Sequence, residues 1–239
     1  QVYDASTPRV DQRNLGFVTI DGKTARDFDD AVFAKSNGDG SWQVYVAIAD
    51  VAHYVRPGSA IDQEAYLRGT SVYFPTHAIP MLPENLSNNL CSLKPDVNRF
   101  TLTCEMLIDS TGQVQSYRIY ESVIRSRARL VYDDVAEFLD TGQTRTIRNK
   151  EILDNLIVMN EVAKILQEKR TKRGAINFNF AEQQIELDDQ NQMVGVYKRF
   201  QSSSMKLIEQ FMLEANETVA KHCTGTVSYT HLRAHETSI

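Results

Sequence analysis

The segment Thr19-Ile20-Asp21-Gly22-Lys23-Thr24-Ala25-Arg26-Asp27-Phe28-Asp29-Asp30-Ala31 puts four carboxylates within ten residues. Like charges this close raise one another's pKa and cost free energy unless a cation neutralises them. Hard divalent cations such as Mg2+ take carboxylate oxygens and keep open water positions. Two such ions roughly 3.5–4 Å apart are a common device for phosphodiester cleavage, activating water and stabilising the leaving oxygen. Two plainer readings compete. A calcium loop fits poorly, because an EF-hand alternates its ligands around a central glycine and adds a distant glutamate. A solvated acidic turn is hard to reconcile with Phe28 and the run Ala31-Val32-Phe33 among the acids. Spacing alone favours a metal site and leaves its chemistry open.

Two flanking elements must position these acids. Leu15 to Ile20 is a short apolar, β-branched run, and Ala31-Val32-Phe33 resumes as strand after the acids. Asn37-Gly38-Asp39-Gly40 is a turn signal before a second strand, Trp42 to Val51, so a hairpin is expected. A helix over 58–68 is expected to open at Ser59 and close near Gly69. Pro75, Pro80 and Pro83 then allow no regular helix. Phe100 to Asp109 and Val114 to Ile124 read as a second hairpin around Gly112, and Asp133 to Leu139 as helix. Ile152, Leu156, Met159, Ala163 and Leu166 follow helical spacing up to Gly174. Two short strands over 176–198 and a last helix through Leu207, Phe211, Ala215 and Val219 complete the pattern. The fold class is α+β, with a linker over 1–14 and one domain over 15–224.

Composition sets the remaining bounds. A chain of 239 residues, 42% hydrophobic and 24% charged, can bury a core without disulfides. Cys91, Cys104 and Cys223 are odd in number and widely spaced, which suits a reducing compartment rather than a disulfide frame or a zinc site. No apolar run approaches the roughly 18–20 residues that cross a bilayer, and no signal peptide opens the chain. A cytoplasmic protein without membrane contact is the default. The net charge of −5 argues against nucleic-acid binding. Acids gathered for a cation weaken that objection. So do local basic clusters at Arg125, Arg127 and Arg129 and at Lys169, Arg170, Lys172 and Arg173.

Near the end, His231 and His235 with Glu236 have a spacing that could hold a metal on a helix. The stretch lacks a hydrophobic period, follows abruptly on a good helix and resembles translated sequencing adapter, so 225–239 is set aside as non-native.

The motif TIDGKTARDFDDAV resembles the signature of the ribonuclease II/R family catalytic (RNB) domain, in a form nearer the bacterial ribonuclease R branch. The likeness continues through VAIADVAHYVRPGS, RGTSVYFPTHAIPMLPENLSNNLCSL, RARLVYDDV, KRGAINF and MKLIEQFMLEAN. It implies that Asp21, Asp27, Asp29 and Asp30 form the metal and catalytic cluster, with Asp29 least dispensable. It makes Tyr73 and Phe178 the two sides of a clamp on the terminal base, and Glu209 a contact to the RNA sugar. A sequence-independent nuclease grips π-faces because every base has one. Gln210 stands where the family often has a second acid, and His53 and His77 are left to structure or RNA backbone contact.

The implied activity is processive, Mg2+-dependent (Mn2+ as substitute) 3′→5′ hydrolysis of single-stranded RNA to nucleoside 5′-monophosphates, by a monomer in its full-length form. Upstream and downstream OB-type modules and a later segment resembling HFTSPIRRYPDL, which carries a phosphate-stabilising arginine, have no match in this chain. The chain is accordingly expected to be C-terminally truncated and inactive alone. The alternative is a catalytically silent RNA-binding homologue, against which the retention of all four Asp residues speaks.

Overall fold

The computed structural model describes residues 8–175, 182–188, 190 and 192–226. Seven strands form one mixed sheet in the order β1 (Val10–Asp11), β8 (Val114–Arg125), β7 (Asn98–Ile108), β4 (Trp42–Ala49), β3 (Asp30–Ser36), β2 (Val18–Asp21) and β9 (Ala128–Val131). Both expected hairpins are present, β3 with β4 and β7 with β8. The outermost strands join in parallel, Val10 opposite Ser122 and Val18 opposite Ala128. These two parallel pairings at the edges of an otherwise antiparallel sheet make it mixed, with helices packed on it in the α+β manner.

Both faces of the sheet are covered, so its central strands carry apolar side chains on either side. Helices α3 (Tyr132–Thr141), α4 (Lys150–Lys172) and α5 (Ser203–Gly225) cover one face. There Val18, Ile20, Val32, Val46 and Met106 meet Leu156, Met159, Leu166, Leu207 and Phe211. On the other face Phe17, Phe28, Tyr45, Leu86, Leu93 and Ile124 form a second cluster. All five apolar positions that predicted α4 are buried. Its first turn is capped by Asn149, whose side chain accepts from the Glu151 amide at 2.9 Å.

Between β4 and β7 lie α1 (Val51–Tyr54), α2 (Ala60–Arg68), the small hairpin β5 (Val72–Tyr73) with β6 (Ala78–Ile79), and a π-helix Leu86–Leu90. Ser59 and Gly69 cap α2 as the sequence suggested. The proline-rich loop departs from expectation in one place. Pro83 precedes the π-helix and only accepts from it, through the Leu86 and Ser87 amides, so its missing N–H costs nothing. Among the described residues the strands β10 (Glu182–Leu187) and β11 (Met193–Arg199) pair only with each other.

Residues 8–14 are structured rather than a free linker. Val10 and Asp11 extend the sheet along β8, and Arg9 and Gln12 are buried. The Arg9 charge is compensated by Asp50 at 2.6 Å and Glu121 at 3.3 Å, and its guanidinium stacks 4.5 Å over Phe100. A polar, charged stretch reads as linker in sequence because these partners are 41 residues and more away. Among the described residues no helix is long and apolar enough to cross a membrane.

The turn joining β7 to β8 docks on the helices through Lys169, which donates to the Gly112 carbonyl at 2.9 Å and to Glu214 at 2.8 Å. Gly112 has φ +81, and a Cβ there would stand 3.2 Å from two Lys169 carbons. Gly38 has the same left-handed backbone, at +82, with open space around it. Gly38→Ala should therefore lose about 1 kcal/mol from backbone strain alone. Gly112→Ala should lose roughly 1–2 kcal/mol more from overpacking, a further fall of about 2–8 °C in melting temperature. Equal melting temperatures for the two variants would refute the docking role.

Candidate active site

Asp21 ends β2 and Asp30 begins β3, so the turn between these antiparallel neighbours carries Asp27 and Asp29. The backbone of that turn is fixed on three sides. The Ala49 amide donates to the Asp29 carbonyl at 2.8 Å, and the Leu93 amide to the Phe28 carbonyl at 2.8 Å. Ser92 Oγ accepts from the Phe28 amide at 3.1 Å and donates to the Arg26 carbonyl at 2.8 Å. Arg129, on the parallel strand β9, donates to the carbonyls of Gly22 at 2.6 Å and Lys23 at 2.9 Å. Phe28 is the anchor: its ring is buried in the second core cluster, which leaves the acids at the surface of the sheet end.

The four carboxylates sit within one electrostatic field. Burial, then the nearby Asp30, pushes Asp21 up to about 7, with Asp27 and Asp29 adding and Arg129 opposing. Packing around its carboxyl, then Asp27 and Asp30, pushes Asp29 up to about 6, although Asp29 is exposed at its rim. Burial also raises Asp30. The four acids thus lie within electrostatic range at one end of the sheet.

Its fit to a cation can be tested on the atoms present. Asp21 Oδ2 is buried and has no hydrogen-bond partner, a costly arrangement that a hard cation would relieve. All four donors are carboxylate oxygens, the type that Mg2+ and Mn2+ take. Among the described residues no three His, Cys, Asp or Glu side chains already converge into a finished cage. The donor chemistry fits, and side-chain rotation would have to complete the coordination.

Beside Asp27 opens a cleft of about 630 Å³. Gly22 to Asp27 form one wall, the β5–β6 hairpin the second, and Ser87 and Asn88 of the π-helix the third. Tyr73 is 69% exposed on the hairpin and its hydroxyl donates to Asp27 Oδ2 at 3.1 Å. Phe74 and His77 stack at 4.9 Å on the same hairpin. The mouth of the cleft is therefore aromatic, and Asp27 is the one member of the acidic turn's four carboxylates that lines it, beside Arg26.

Other candidates are placed differently. Phe178 lies outside the described residues. Glu209 is exposed on α5, where Gln201 donates to it at 2.7 Å, and among the described residues it makes no bond to the acidic turn. Gln210 is buried and accepts from Arg170 at 3.2 Å, which ties α5 to α4 and takes it away from any ligand. His53 packs edge-on against Phe100 and Tyr54. His231 and His235 fall outside the described residues. Sequence reasoning missed Phe74 as cleft wall and Arg129 as counter-charge, and gave no role to Ser92. Nothing in local spacing announces a residue that acts across 64 positions.

Comparison with known proteins follows the same lines. The RNB domain model matches residues 9–238. The ribonuclease R of Vibrio parahaemolyticus is 45% identical over 213 residues, 89% of this chain and 26% of that protein. That of Thermotoga maritima is 45% identical over 216 residues, 89% of this chain and 30% of that protein. Mycoplasma genitalium RNase R, solved in complex with double-stranded RNA, superposes with a TM-score of 0.89 at 34% identity, covering 95% of this chain and 40% of that one. The Dss1 exoribonuclease of Candida glabrata, at 19% identity and a TM-score of 0.85 over 92% of this chain and 30% of that one, shares the fold. The chain spans about a quarter to a third of the length of the curated relatives it matches. With the family model spanning nearly all of it, the chain belongs to the RNB-domain family.

Proposed function

We propose that the protein carrying this chain is a hydrolytic 3′→5′ exoribonuclease that processively releases nucleoside 5′-monophosphates from single-stranded RNA, with Mg2+ at the acidic cluster. One observation carries the reading: the raised carboxylates of Asp21 and Asp29 belong to the same turn as Asp27, which forms one wall of an aromatic-mouthed cleft. Its relatives named ribonuclease R, and the related RNase R solved with single-stranded RNA, support it.

In this reading Asp21, Asp27, Asp29 and Asp30 hold the cation, with Mn2+ as substitute. Bound there, Mg2+ would lower the pKa of water and polarise a phosphoryl oxygen. Tyr73 stacks on the terminal base, and Phe178 supplies the opposite face. Glu209 contacts the RNA sugar. The Tyr73–Asp27 hydrogen bond couples the stacking platform to the acid wall, so that a seated base and a held phosphate are in register.

Three measurements test this. On the full-length protein with labelled single-stranded RNA, Asp29→Asn should slow decay by ~10²-fold or more, and EDTA should do the same to the wild type. Equal decay in all lanes would remove the catalytic assignment and leave RNA binding alone. Tyr73→Ala should raise KM about tenfold, since a stacked base is worth roughly 1–3 kcal/mol, whereas Tyr73→Phe should nearly preserve KM.

The third measurement concerns stability. Asp21 titrates near 7 in the fold against 3.8 ordinarily, so the unfolded chain ionises first as pH rises. Stability from this group is therefore full below about pH 4 and lost progressively towards pH 7. In EDTA at pH 7.5, Asp21→Asn should raise the melting temperature by about 2–4 °C, on the order of 1 kcal/mol after solvent screening. The same variant should lose the stabilisation that Mg2+ gives the wild type. A melting temperature unchanged or lowered in EDTA would count against the raised carboxylate.

A further inference from the structure

Ser92 is fully buried, 64 residues from the acidic turn in sequence, yet its hydroxyl touches that turn twice. It donates to the carbonyl of Arg26 at 2.8 Å and accepts from the amide of Phe28 at 3.1 Å. These are the peptide groups on either side of Asp27. One residue on, the Leu93 amide donates to the Phe28 carbonyl at 2.8 Å. The Ser92 side chain thus supplies the rung that a backbone ladder lacks at this point. It closes the turn around Asp27, while the Ala49 amide holds the Asp29 carbonyl.

Ser92 is held in turn. Arg99 is a buried arginine whose Nε donates to the Ser92 carbonyl at 2.7 Å, and whose terminal nitrogens reach the carbonyls of Asn98 at 3.1 Å and Asn89 at 2.9 Å. Asn89 belongs to the π-helix, and its neighbours Ser87 and Asn88 line the cleft. A guanidinium in this place fixes three carbonyls in one plane-restricted geometry, which a lysine could not reproduce. Burying its charge is costly, and the hydrogen bonds offset that cost only if all three are made. Arg99, Ser92 and the peptides flanking Asp27 form one continuous hydrogen-bonded brace from the cleft floor to the acids.

We infer that Ser92 is a positioning residue for the acidic cluster, with Arg99 behind it: the hydroxyl sets the direction in which Asp27 and Asp29 present their carboxylates to a divalent cation. This rests on the proposed nuclease reading for its activity consequence, but not for its geometric one. Side chains one step behind metal ligands commonly change affinity or rate by 10–100-fold when removed. Ser92→Ala deletes only the hydroxyl, so packing in the second core cluster is retained, and Ser92→Thr keeps the hydroxyl.

The test uses the full-length protein with three readouts: Mn2+ affinity by electron paramagnetic resonance, RNA kinetics resolved into kcat and KM, and hydrogen exchange of the peptide spanning residues 22–33. Ser92→Ala should bind Mn2+ about tenfold more weakly, lose about tenfold in kcat at fixed Mn2+ with little change in KM, and expose the Phe28 amide to exchange. Ser92→Thr should restore all three towards wild type. Mn2+ affinity within twofold of wild type in Ser92→Ala overturns the proposal, as does a loss that Ser92→Thr shares in full, since that reports packing. A wild type that degrades no RNA, with Mn2+ affinity still weakened by Ser92→Ala, supports the positioning role and defeats the nuclease reading instead.

Discussion

Mutual repulsion among four carboxylates is the constraint around which this end of the sheet is organised. A turn bearing Asp21, Asp27, Asp29 and Asp30 would, left to itself, swing its charges apart into water. The fold prevents that with neutral devices. Phe28 is driven into the core, and carbonyls and amides on both sides of it are bonded to Ala49, Ser92 and Leu93. Among the described residues Arg129 sets a charge against that of Asp21, and its hydrogen bonds go to the turn's carbonyls rather than to a carboxylate. Asp21 Oδ2 is thereby left without a partner, while Asp27 Oδ2 accepts from Tyr73. Burial first and the neighbouring acids second push Asp21 and Asp29 up, a shift that a divalent cation would reverse.

Rigid and adjustable parts face each other across the cleft. The acid wall is continuous with the sheet and with the buried brace from Arg99. The aromatic wall is a hairpin of two-residue strands, with Tyr73 and Phe74 largely exposed. So small a hairpin has little stability of its own. In the proposed nuclease, fixed charge and compliant stacking would suit a site that reads no sequence.

The basic clusters that softened the objection from net charge are mostly engaged within the protein. Lys169 is paired with Glu214, Arg173 with Glu217, and Arg170 reaches Gln210, so this stretch of α4 fastens α5. Arg127 bonds the carbonyls of Arg13 and Asn14, and Arg125 faces Asp96 at 3.7 Å. Stems and charges that look available for phosphate in sequence are holding elements together. Among the described residues, then, these clusters offer little unpaired cationic surface.

How much of this was legible beforehand depends on the range of the interaction. The acidic turn, the two hairpins, the caps of α2 and the buried stripe of α4 follow from neighbours within a few positions, where backbone geometry and periodicity act directly. Tyr73 was singled out through its surrounding motif, and its hydroxyl lies against Asp27 in the fold. Residues 8–14 reading as linker, the direction of Gln210 and the roles of Arg129, Ser92 and Arg99 were not legible. Each is decided by a partner tens of residues away, which only the closed sheet brings near. By itself the sequence determined that four carboxylates would crowd one turn. Which peptides hold them, which arginine tempers them and which aromatic wall they face were decided by tertiary packing, because crowded charge cannot fix its own geometry.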